Sequence, residues 1–557
     1  MDNGAKDYTN TSEKTEKNYS GKRKKRFFGK SDIDYNCLIL YNFFIMLDVH
    51  TTLYKFMRDY RLKNDDSVAV VRGGRKMTFA KFFKEIDRVA AGLYKAGVRK
   101  GDVVMLTLPN IEQSVIATYA CSRIGATASM IHPKLSADEF ESAVKKLSPK
   151  VVFLSDVNQA KFFFRCHGAK RVICHFGVYD YLGLPHSRHF EEFDGDGEEI
   201  ALYMQSGGTS GEPKTVAVSS RCANAMAGNL LQYLDDKFSE RNAMLTALPM
   251  FHGFGLCVGV HASLCTNMRV VLQPVFNAEK TVKIIAKNRI TTMVAVPRMV
   301  SKLLACKDFC GDKVSCIEDV YVGGDSVSKE LVAAFDKRMK EAGGKGVLSA
   351  GYGLTETASV CAVSKGDYEA GSVGKPINGV EARIVDENLK DVAVGQTGEL
   401  LLGGDQIMSG YAFDKEATEK TLIRIDGKTY VRSGDFFKQD ADGKLFYMGR
   451  KKRLIKISGI NVFPTEIERV AKELDFVKEC VCIEYKIDGK PYIKLIVEGS
   501  LTPSQKQEII SHIDKRMSHW NVPREVDCKD AFPRTKIGKI DIEGLKNEFG
   551  KDTQSDK

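Results

Sequence analysis

The chain has 557 residues, of which 43% are hydrophobic and 28% are charged, and its formal net charge is +11. This length exceeds what one hydrophobic core normally organises, so at least two domains are expected. No uninterrupted apolar run is long enough to span a bilayer, and the positive charge suits polyanionic ligands as well as an ordinary solvated surface.

The N-terminal tail, residues 1–47, is predicted to be disordered. Its first 30 residues hold nine lysines and arginines against four acidic residues, with few large apolar groups. An apolar stretch at 37–47 follows. The long basic region and the lack of a clear small-residue cleavage site favour a solvated tail over a secretion signal. Contact of this basic tail with a membrane surface is a second interpretation.

Fourteen cysteines occur without a CxxC pair, which is typical of reduced thiols, so a cytoplasmic location is expected. The Cys-His pairs at 166–167 and 174–175 have residue types found in zinc sites. The segment 171–176 reads better as a core strand, so no zinc is expected there. Cys480 and Cys482 lie in another apolar strand and are predicted to be buried.

Helical and strand patterns alternate from residue 78 to about residue 360. After Thr78, which can cap a helix, apolar residues recur at spacings of three and four until Gly97 ends the pattern. The same signals predict strands at 103–108, 127–131 and 151–154, helices at 109–124, 136–147 and 256–264, and strands on both sides of 206–214. This alternation predicts an α/β fold with parallel-rich sheets covered by helices.

A second, smaller domain is predicted near the C-terminus. Short strands dominate beyond residue 360, with turns at Asp426-Gly427 and Asp442-Gly443. A helix beginning at Thr465, strands near 478–486 and 492–498, and a helix over 503–518 then indicate a small mixed α/β unit. The expected boundaries are 48–449 for the large domain, 450–548 for the small domain and 549–557 for a C-terminal tail.

A glycine-rich loop at 206–214 reads Ser-Gly-Gly-Thr-Ser-Gly-Glu-Pro-Lys between two apolar strands. Glycine lets backbone N–H groups approach an anion, and hydroxyls with one lysine suit the oxygens of a polyphosphate. The loop has neither the Gly-Lys-Ser/Thr ending of a Walker loop nor the Gly-x-Gly-x-x-Gly spacing of a dinucleotide site. Taken alone, it is equally consistent with a flexible polar hairpin.

Three further segments place polar groups beside glycines. Gly351–Glu356 reads Gly-Tyr-Gly-Leu-Thr-Glu, in which the threonine offers a hydroxyl to a phosphate and the glutamate offers a hard oxygen to Mg²⁺. Residues 432–435 read Arg-Ser-Gly-Asp, and Asp435 can accept hydrogen bonds from two ribose hydroxyls. Residues 533–540 read Pro-Arg-Thr-Lys-Ile-Gly-Lys-Ile. Each segment alone also fits an ordinary surface loop.

Together, in this order and spacing, the four motifs resemble the signature of the adenylate-forming superfamily, which includes acyl- and aryl-CoA ligases, luciferases and peptide-synthetase adenylation domains. The resemblance covers roughly residues 50–545. It implies a mobile C-terminal lid, and ATP, Mg²⁺ and coenzyme A as cofactors. It also implies that the β- and γ-phosphates of ATP are held by Ser206, Gly207, Gly208, Thr209, Ser210, Gly211 and Lys214.

The resemblance also assigns roles to residues around the rest of the nucleotide. It implies adenine stacking by Tyr352 between Gly351 and Gly353, cover of the other adenine face by Gly324 and Asp325, α-phosphate contact by Thr355, Mg²⁺ coordination by Thr209 and Glu356, and ribose contact by Asp435 with Arg450 nearby. Many relatives carry alanine where Asp325 stands.

The C-terminal domain is implied to supply a second group of residues. Lys539 would be the catalytic lysine, a fixed cation beside the carboxylate and the α-phosphate. The other implied roles are the hinge at Lys452, nucleotide contact by Lys456 and Asn461, and the lining of a pantetheine tunnel by Ser458 and Gly459.

The implied reaction has two halves. A carboxylate attacks the α-phosphorus of Mg·ATP to give an acyl-adenylate, and a thiol then displaces AMP, so that catalysis rests on positioning and charge. The segment 249–255, Pro-Met-Phe-His-Gly-Phe-Gly, resembles the family segment that enters the acyl pocket, and it has no carboxylate to pair an α-ammonium group. Its neighbours are apolar, so a medium- to long-chain fatty acid is expected, with an aryl acid such as a cinnamate as the alternative. His252 is expected to gate the junction between acid and thiol.

Two other functions are alternatives to a CoA ligase. An adenylation enzyme that loads an acyl carrier protein in trans would use a protein-bound phosphopantetheine thiol. A non-enzymatic nucleotide-binding relative would be expected to lack Lys539 or Glu356, and both are present. The expected partners are a carboxylic acid and either coenzyme A or a carrier protein, with no nucleic acid, and the chain is expected to be a monomer or a homodimer.

Overall fold

The computed structural model describes residues 48–61, 64–206, 213–234, 238–457, 460–535 and 540–550. The tail predicted at 1–47 and most of the one at 549–557 lie outside these ranges. Within them, no helix is both long and apolar enough to cross a membrane.

Two mostly parallel sheets form the frame of the large domain. Their inner strands are rich in apolar residues, such as Val151–Ser155, in which every residue is buried, as expected when helices cover both faces. In spatial order, the first sheet contains Lys375–Pro376, Val360–Val363, Val347–Gly353, Asp319–Val322, Thr292–Ala295, Ala243–Thr246, Arg269–Leu272, Val68–Arg72 and Arg75–Thr78. The second contains Gly410–Tyr411, Thr215–Ser219, Ile200–Gln205, Thr127–Met130, Val103–Thr107, Val151–Ser155 and Lys170–Cys174.

Two helices of the large domain begin where their capping residues predict. Thr78 accepts a hydrogen bond from the Lys81 N–H, and Ser136 forms a reciprocal capping box with Glu139. The α-helices are Leu53–Tyr60, Phe79–Lys95, Glu112–Arg123, Ala137–Leu147, Gln159–Phe162, Ser220–Leu234, Ser263–Cys265, Ala278–Asn288, Pro297–Leu304, Lys329–Glu341 and Lys415–Thr421.

The helix predicted at 109–124 begins later, at Glu112. Asn110 is the reason, because its side chain is used to join the two sheets. Its amide donates to the carbonyls of Thr246 (3.1 Å) and Leu248 (2.7 Å), and its oxygen accepts from the Met250 N–H (3.0 Å). This buried bridge holds the segment outside the helix.

The helix predicted at 256–264 is also different, because most of it is a wide π-helix, Phe254–Ala262. The Thr246 hydroxyl donates to the Gly259 carbonyl at 2.7 Å, and a side-chain bond of this kind disturbs regular α-helical pairing. A Cβ on Gly255 would lie 2.3 Å from the Pro249 carbonyl oxygen, so only glycine permits this close approach. Wide turns of this type often occur at functional sites.

A third, antiparallel sheet completes the large domain. Its strands are Glu381–Val385, Gly398–Gly403, Lys428–Gln439, Leu422–Ile425 and Leu445–Arg450. The predicted turn at Asp426-Gly427 joins two of them, and both residues have positive φ (52° and 80°).

The small domain has its own core. A hairpin of Ile455–Ile457 and Ile460–Val462 precedes a sheet of Cys480–Ile487, Lys490–Glu498 and Glu525–Lys529, packed with helices Pro464–Ala471, Pro503–Arg516 and Ile542–Phe549. Cys480 and Cys482 are buried, as predicted. The expected α/β class, with a large N-terminal and a small C-terminal domain, is confirmed.

The parallel strand Glu525–Lys529 was not predicted from the sequence. Glu525 and Asp527 give this segment the charged pattern that is typical of a solvated loop. They pair instead with Lys494 of the neighbouring strand, at 2.9 Å and 3.1 Å, and Lys494 is only 8% exposed.

Candidate active site

The glycine-rich loop leaves the second sheet at the carboxyl end of Ile200–Gln205 and returns through Thr215–Ser219. The Ser206 N–H donates to the Lys214 carbonyl at 2.8 Å, which closes the base of the loop. Five predicted phosphate-binding residues of this loop lie outside the described residues: Gly207, Gly208, Thr209, Ser210 and Gly211.

The exit of this loop meets the Gly351–Glu356 motif through Tyr411, a residue that the sequence analysis missed. The Tyr411 hydroxyl donates to Glu356 Oε1 at 2.7 Å. On the same ring, the Lys214 ammonium lies 4.6 Å from the centroid. The structure therefore brings together a predicted phosphate-binding lysine and a predicted metal ligand around one aromatic side chain.

Tyr352, Asp435 and Arg450 form a second cluster. The Tyr352 hydroxyl donates to Asp435 Oδ2 at 2.6 Å, and Arg450 Nε lies 2.9 Å from Asp435 Oδ1. Burial raises the pKa of Tyr352, and the Asp435 charge raises it further, so the hydroxyl stays protonated and must be the donor. Asp435 is fully buried. The structure thus brings three residues from separate motifs into one bonded cluster.

Close backbone approaches surround Tyr352. A Cβ on Gly353 would lie 1.6 Å from the Ser359 carbonyl oxygen, and one on Gly323 would lie 3.2 Å from the Gly351 carbonyl oxygen. Gly324 has φ +80°, a conformation that favours glycine. Glycine is therefore required here by close backbone packing after Val322 and at Gly353.

Two predicted residues lie beside these strands. Asp325 is exposed, and its Oδ1 accepts from the Ser326 N–H at 2.9 Å, so its carboxylate serves a local turn. Thr355 begins a short 3₁₀ turn that ends at Thr357, directly before Ala358, which has positive φ. That turn carries Glu356 towards Tyr411.

His252 lies in a cluster of three aromatic rings that are tilted against one another. Its ring centroid is 4.6 Å from that of Phe251, which is 4.4 Å from that of His132. His132 follows Met130, which pairs with Met204 just before the glycine-rich loop. His132 was not predicted as a site residue, because the only sequence feature that marks it is its position after the buried strand Thr127–Met130.

His132 is neutral at pH 7. Its Nδ1 accepts from the Lys134 N–H at 2.9 Å, which leaves the ring proton on Nε2. Burial lowers the pKa of His132, and the Lys134 charge lowers it further. His132 can therefore offer its Nε2–H as a neutral donor near the entrance of the glycine-rich loop.

Lys452 lies between two residues that are anchored to different domains. Lys451 Nζ is 3.0 Å from Glu399 Oε2 of the third sheet, whereas the Arg453 guanidinium pairs with Glu468 in the first helix of the small domain. Glu399 is buried and is also paired with Arg432. The backbone between these anchors is the short turn Lys451–Arg453.

The remaining predicted residues of the small domain are dispersed. Lys456 and Asn461 face each other across the hairpin, both exposed, and Lys456 Nζ lies 3.5 Å from Glu387 Oε1 of the large domain. Ser458, Gly459 and the catalytic candidate Lys539 lie outside the described residues, so the structure does not place them.

Comparisons with known proteins give consistent results. A family model described as AMP-binding enzyme matches residues 58–412, and one described as AMP-binding enzyme C-terminal domain matches residues 466–539. A 4-coumarate-CoA ligase of Narcissus pseudonarcissus is 27% identical over 84% of this chain and 87% of its own length. A long-chain-fatty-acid–CoA ligase of Salmonella typhimurium is 28% identical over 90% and 95%. The crystal structure of ATP-bound MatB from Rhodopseudomonas palustris has a TM-score of 0.81 at 21% identity, and the match covers 90% of this chain and 99% of that one.

Proposed function

The chain belongs to the AMP-binding enzyme family, and we propose that it is an AMP-forming carboxylate–CoA ligase that makes an acyl-adenylate and then an acyl-CoA thioester. The observation that carries the proposal is the meeting of Lys214, Glu356 and Tyr411 beside the Tyr352–Asp435–Arg450 cluster. A lysine and a hard carboxylate oxygen suit a metal-bound polyphosphate, whereas a buried carboxylate beside an aromatic ring suits a nucleoside.

The residues fit the roles that this reaction needs. Tyr352 would stack on adenine, and Asp435 would accept from the ribose hydroxyls while Arg450 pairs with its Oδ1. Glu356, with Thr209, would hold Mg²⁺, which when bound neutralises phosphate charge. Lys214 would hold the terminal phosphates of ATP, which leave as pyrophosphate.

The two half-reactions proceed without a covalent enzyme intermediate. A carboxylate oxygen of the acid forms a bond to the α-phosphorus, and pyrophosphate leaves. The thiol of coenzyme A then loses its proton and attacks the acyl carbon, and AMP leaves with the bridging oxygen. We propose that Lys539 offsets the charge that develops in the first half and that His252 stands where the thiol reaches the acyl carbon.

For the acid, we propose a medium- to long-chain fatty acid. The wide helix Phe254–Ala262 follows the His252 turn, is almost wholly buried and carries no Asp, Glu, Lys or Arg. Burial lowers the pKa of its one histidine, His261, to about 3, so this residue is uncharged at pH 7. A wall without charge suits an alkyl chain and would leave an ammonium group unpaired.

An aryl acid is the second candidate, and the ring cluster of His132, Phe251 and His252 favours it. Ring centroids 4.4 Å and 4.6 Å apart form a surface on which an aromatic acid can pack. The two curated relatives named above divide in the same way, since one is named for an aryl acid and the other for long-chain fatty acids.

A panel of acids separates these candidates. With ATP, Mg²⁺ and coenzyme A, specificity constants should rise through saturated fatty acids by up to about fourfold per methylene, since each contributes about 0.8 kcal/mol, and then fall at one chain length. A flat profile with strong turnover of a hydroxycinnamate would replace the fatty acid by an aryl acid. If pyrophosphate release depends on the acid but a thioester forms only when a carrier protein is present, the acceptor is the carrier protein and not coenzyme A.

Replacing Asp435 with alanine should weaken ATP binding by about tenfold. The change leaves the Arg450 guanidinium without its carboxylate and the Tyr352 hydroxyl without its acceptor. Arg450 is 44% exposed, so water screens part of the loss and a larger effect is not expected. Calorimetric titration with ATP measures the change. Tyr352→Phe, which removes one neutral donor, should cost about threefold, and an unchanged affinity in Asp435→Ala would contradict the assigned ribose site.

A further inference from the structure

Tyr411 is held rigidly at the edge of the second sheet. It pairs with Val216 across Thr215–Ser219, and the Ala412 N–H donates to the Thr215 carbonyl at 2.8 Å. The Tyr411 N–H donates to Thr418 Oγ1 at 2.9 Å, which ties it to the helix Lys415–Thr421. The ring position is therefore set by backbone contacts that do not involve a ligand.

The hydroxyl of Tyr411 orients the carboxylate of Glu356. The hydrogen bond to Oε1 is 2.7 Å long, and the Glu356 carbonyl accepts from the Met408 N–H at 2.8 Å, so both ends of this residue are fixed from the 408–411 segment. An ionised carboxylate can only accept a hydrogen bond, so the phenol hydroxyl of Tyr411 is the donor in this pair. The second carboxylate oxygen, Oε2, is then the one offered to a cation.

The ring of Tyr411 serves a different partner. The Lys214 ammonium lies 4.6 Å from its centroid, within the range of a cation–π contact. Lys214 is exposed and ends the glycine-rich loop. A lysine that rests on a fixed ring loses less side-chain freedom when a phosphate binds.

We propose that Tyr411 is a positioning residue that orders the metal-side carboxylate through its hydroxyl and the phosphate-side lysine through its ring. The inference rests on the proposed function, since the ligand is Mg·ATP. Tyr411 acts through Glu356 and Lys214, and the two actions are separable because they use different atoms of one side chain.

Two substitutions separate the actions. Tyr411→Phe keeps the ring and removes the donor to Glu356, whereas Tyr411→Leu removes both. ATP binding is measured by titration calorimetry in EDTA and again at increasing Mg²⁺. Tyr411→Phe should raise the Mg²⁺ concentration needed for half-maximal enhancement of binding by about tenfold and leave binding in EDTA unchanged. Tyr411→Leu should show the same Mg²⁺ shift and also bind ATP about threefold more weakly in EDTA.

Tyr430→Phe is the matched control. Its hydroxyl donates to Glu381 Oε2 at 2.7 Å on the third sheet, which is the same chemistry outside the site. It should alter neither titration. In a Glu356→Ala background, Tyr411→Phe should have no further effect, and equal melting temperatures of the two tyrosine-to-phenylalanine variants establish that folding is retained.

The outcomes separate this inference from the proposed function. If the unsubstituted protein binds Mg·ATP but Tyr411→Phe has the same Mg²⁺ dependence, the positioning role is wrong and the proposed function stands. If Tyr411→Phe weakens binding equally with and without Mg²⁺, the hydroxyl does not act through the carboxylate and the inference is also overturned. If the unsubstituted protein does not bind ATP at all, both fail.

Discussion

Replacing Lys539 with alanine is expected to slow acyl-adenylate formation by about 10²–10³, while thioester formation from supplied acyl-adenylate changes little. The reason is that a fixed cation beside the α-phosphate offsets charge that develops only in the first half-reaction. Lys539 is the last residue of the stretch that matches the C-terminal domain model, 466–539. Acid-dependent exchange of labelled pyrophosphate into ATP measures the first half, and acyl-CoA release from synthetic adenylate measures the second.

The matched control is Lys515→Ala, an exposed lysine in helix Pro503–Arg516 of the same domain. It should leave both half-reactions unchanged, because charge on that surface is screened by solvent. An equal loss in both halves for Lys539→Ala would show that the lysine serves the fold or general binding instead of adenylate formation.

Replacing Lys452 with proline should have the opposite effect, sparing the first half-reaction and slowing thioester formation. Lys451 is anchored to Glu399 and Arg453 to Glu468, so a rotation of the small domain is confined to the backbone between them. Proline fixes φ near −65° and prevents that rotation. A slowing of about 100-fold requires only about 2.7 kcal/mol of added barrier.

Lys452→Ala provides the comparison, since it removes the same side chain and leaves the backbone free. It should behave like the unsubstituted protein in both assays. If Lys452→Pro forms thioester at the normal rate, the domain rotation takes place elsewhere or is not needed.

Local sequence signals predicted the elements whose contacts are local. Thr78 and Ser136 cap their helices through bonds to residues three positions away, and buried strands such as Val151–Ser155 are continuous apolar runs. The errors arose where a distant partner determines the structure. Asn110 bonds to carbonyls more than 130 residues away, and this contact delays the helix that follows.

The same distinction applies to the candidate site. Tyr352, Asp435 and Arg450 could be selected from the sequence because they lie in compact motifs that contain glycines. Tyr411 could not, because its partner Glu356 is 55 residues away and the surrounding Gly410-Tyr411 strand is short. His132 was missed for a similar reason, since its ring partner Phe251 lies 119 residues later, in a turn that follows the strand Ala243–Thr246 of the other sheet.

The central claim is that the chain transfers an acyl group through an adenylate, and an isotope experiment tests it most directly. The protein is incubated with Mg·ATP, coenzyme A and a fatty acid whose two carboxylate oxygens are ¹⁸O, and the products are analysed by mass spectrometry. The account predicts one ¹⁸O in AMP, one in the acyl-CoA and none in pyrophosphate, because the bridging oxygen leaves with AMP. Formation of acyl-CoA with ADP and ¹⁸O-labelled phosphate, or of AMP without label, would contradict it.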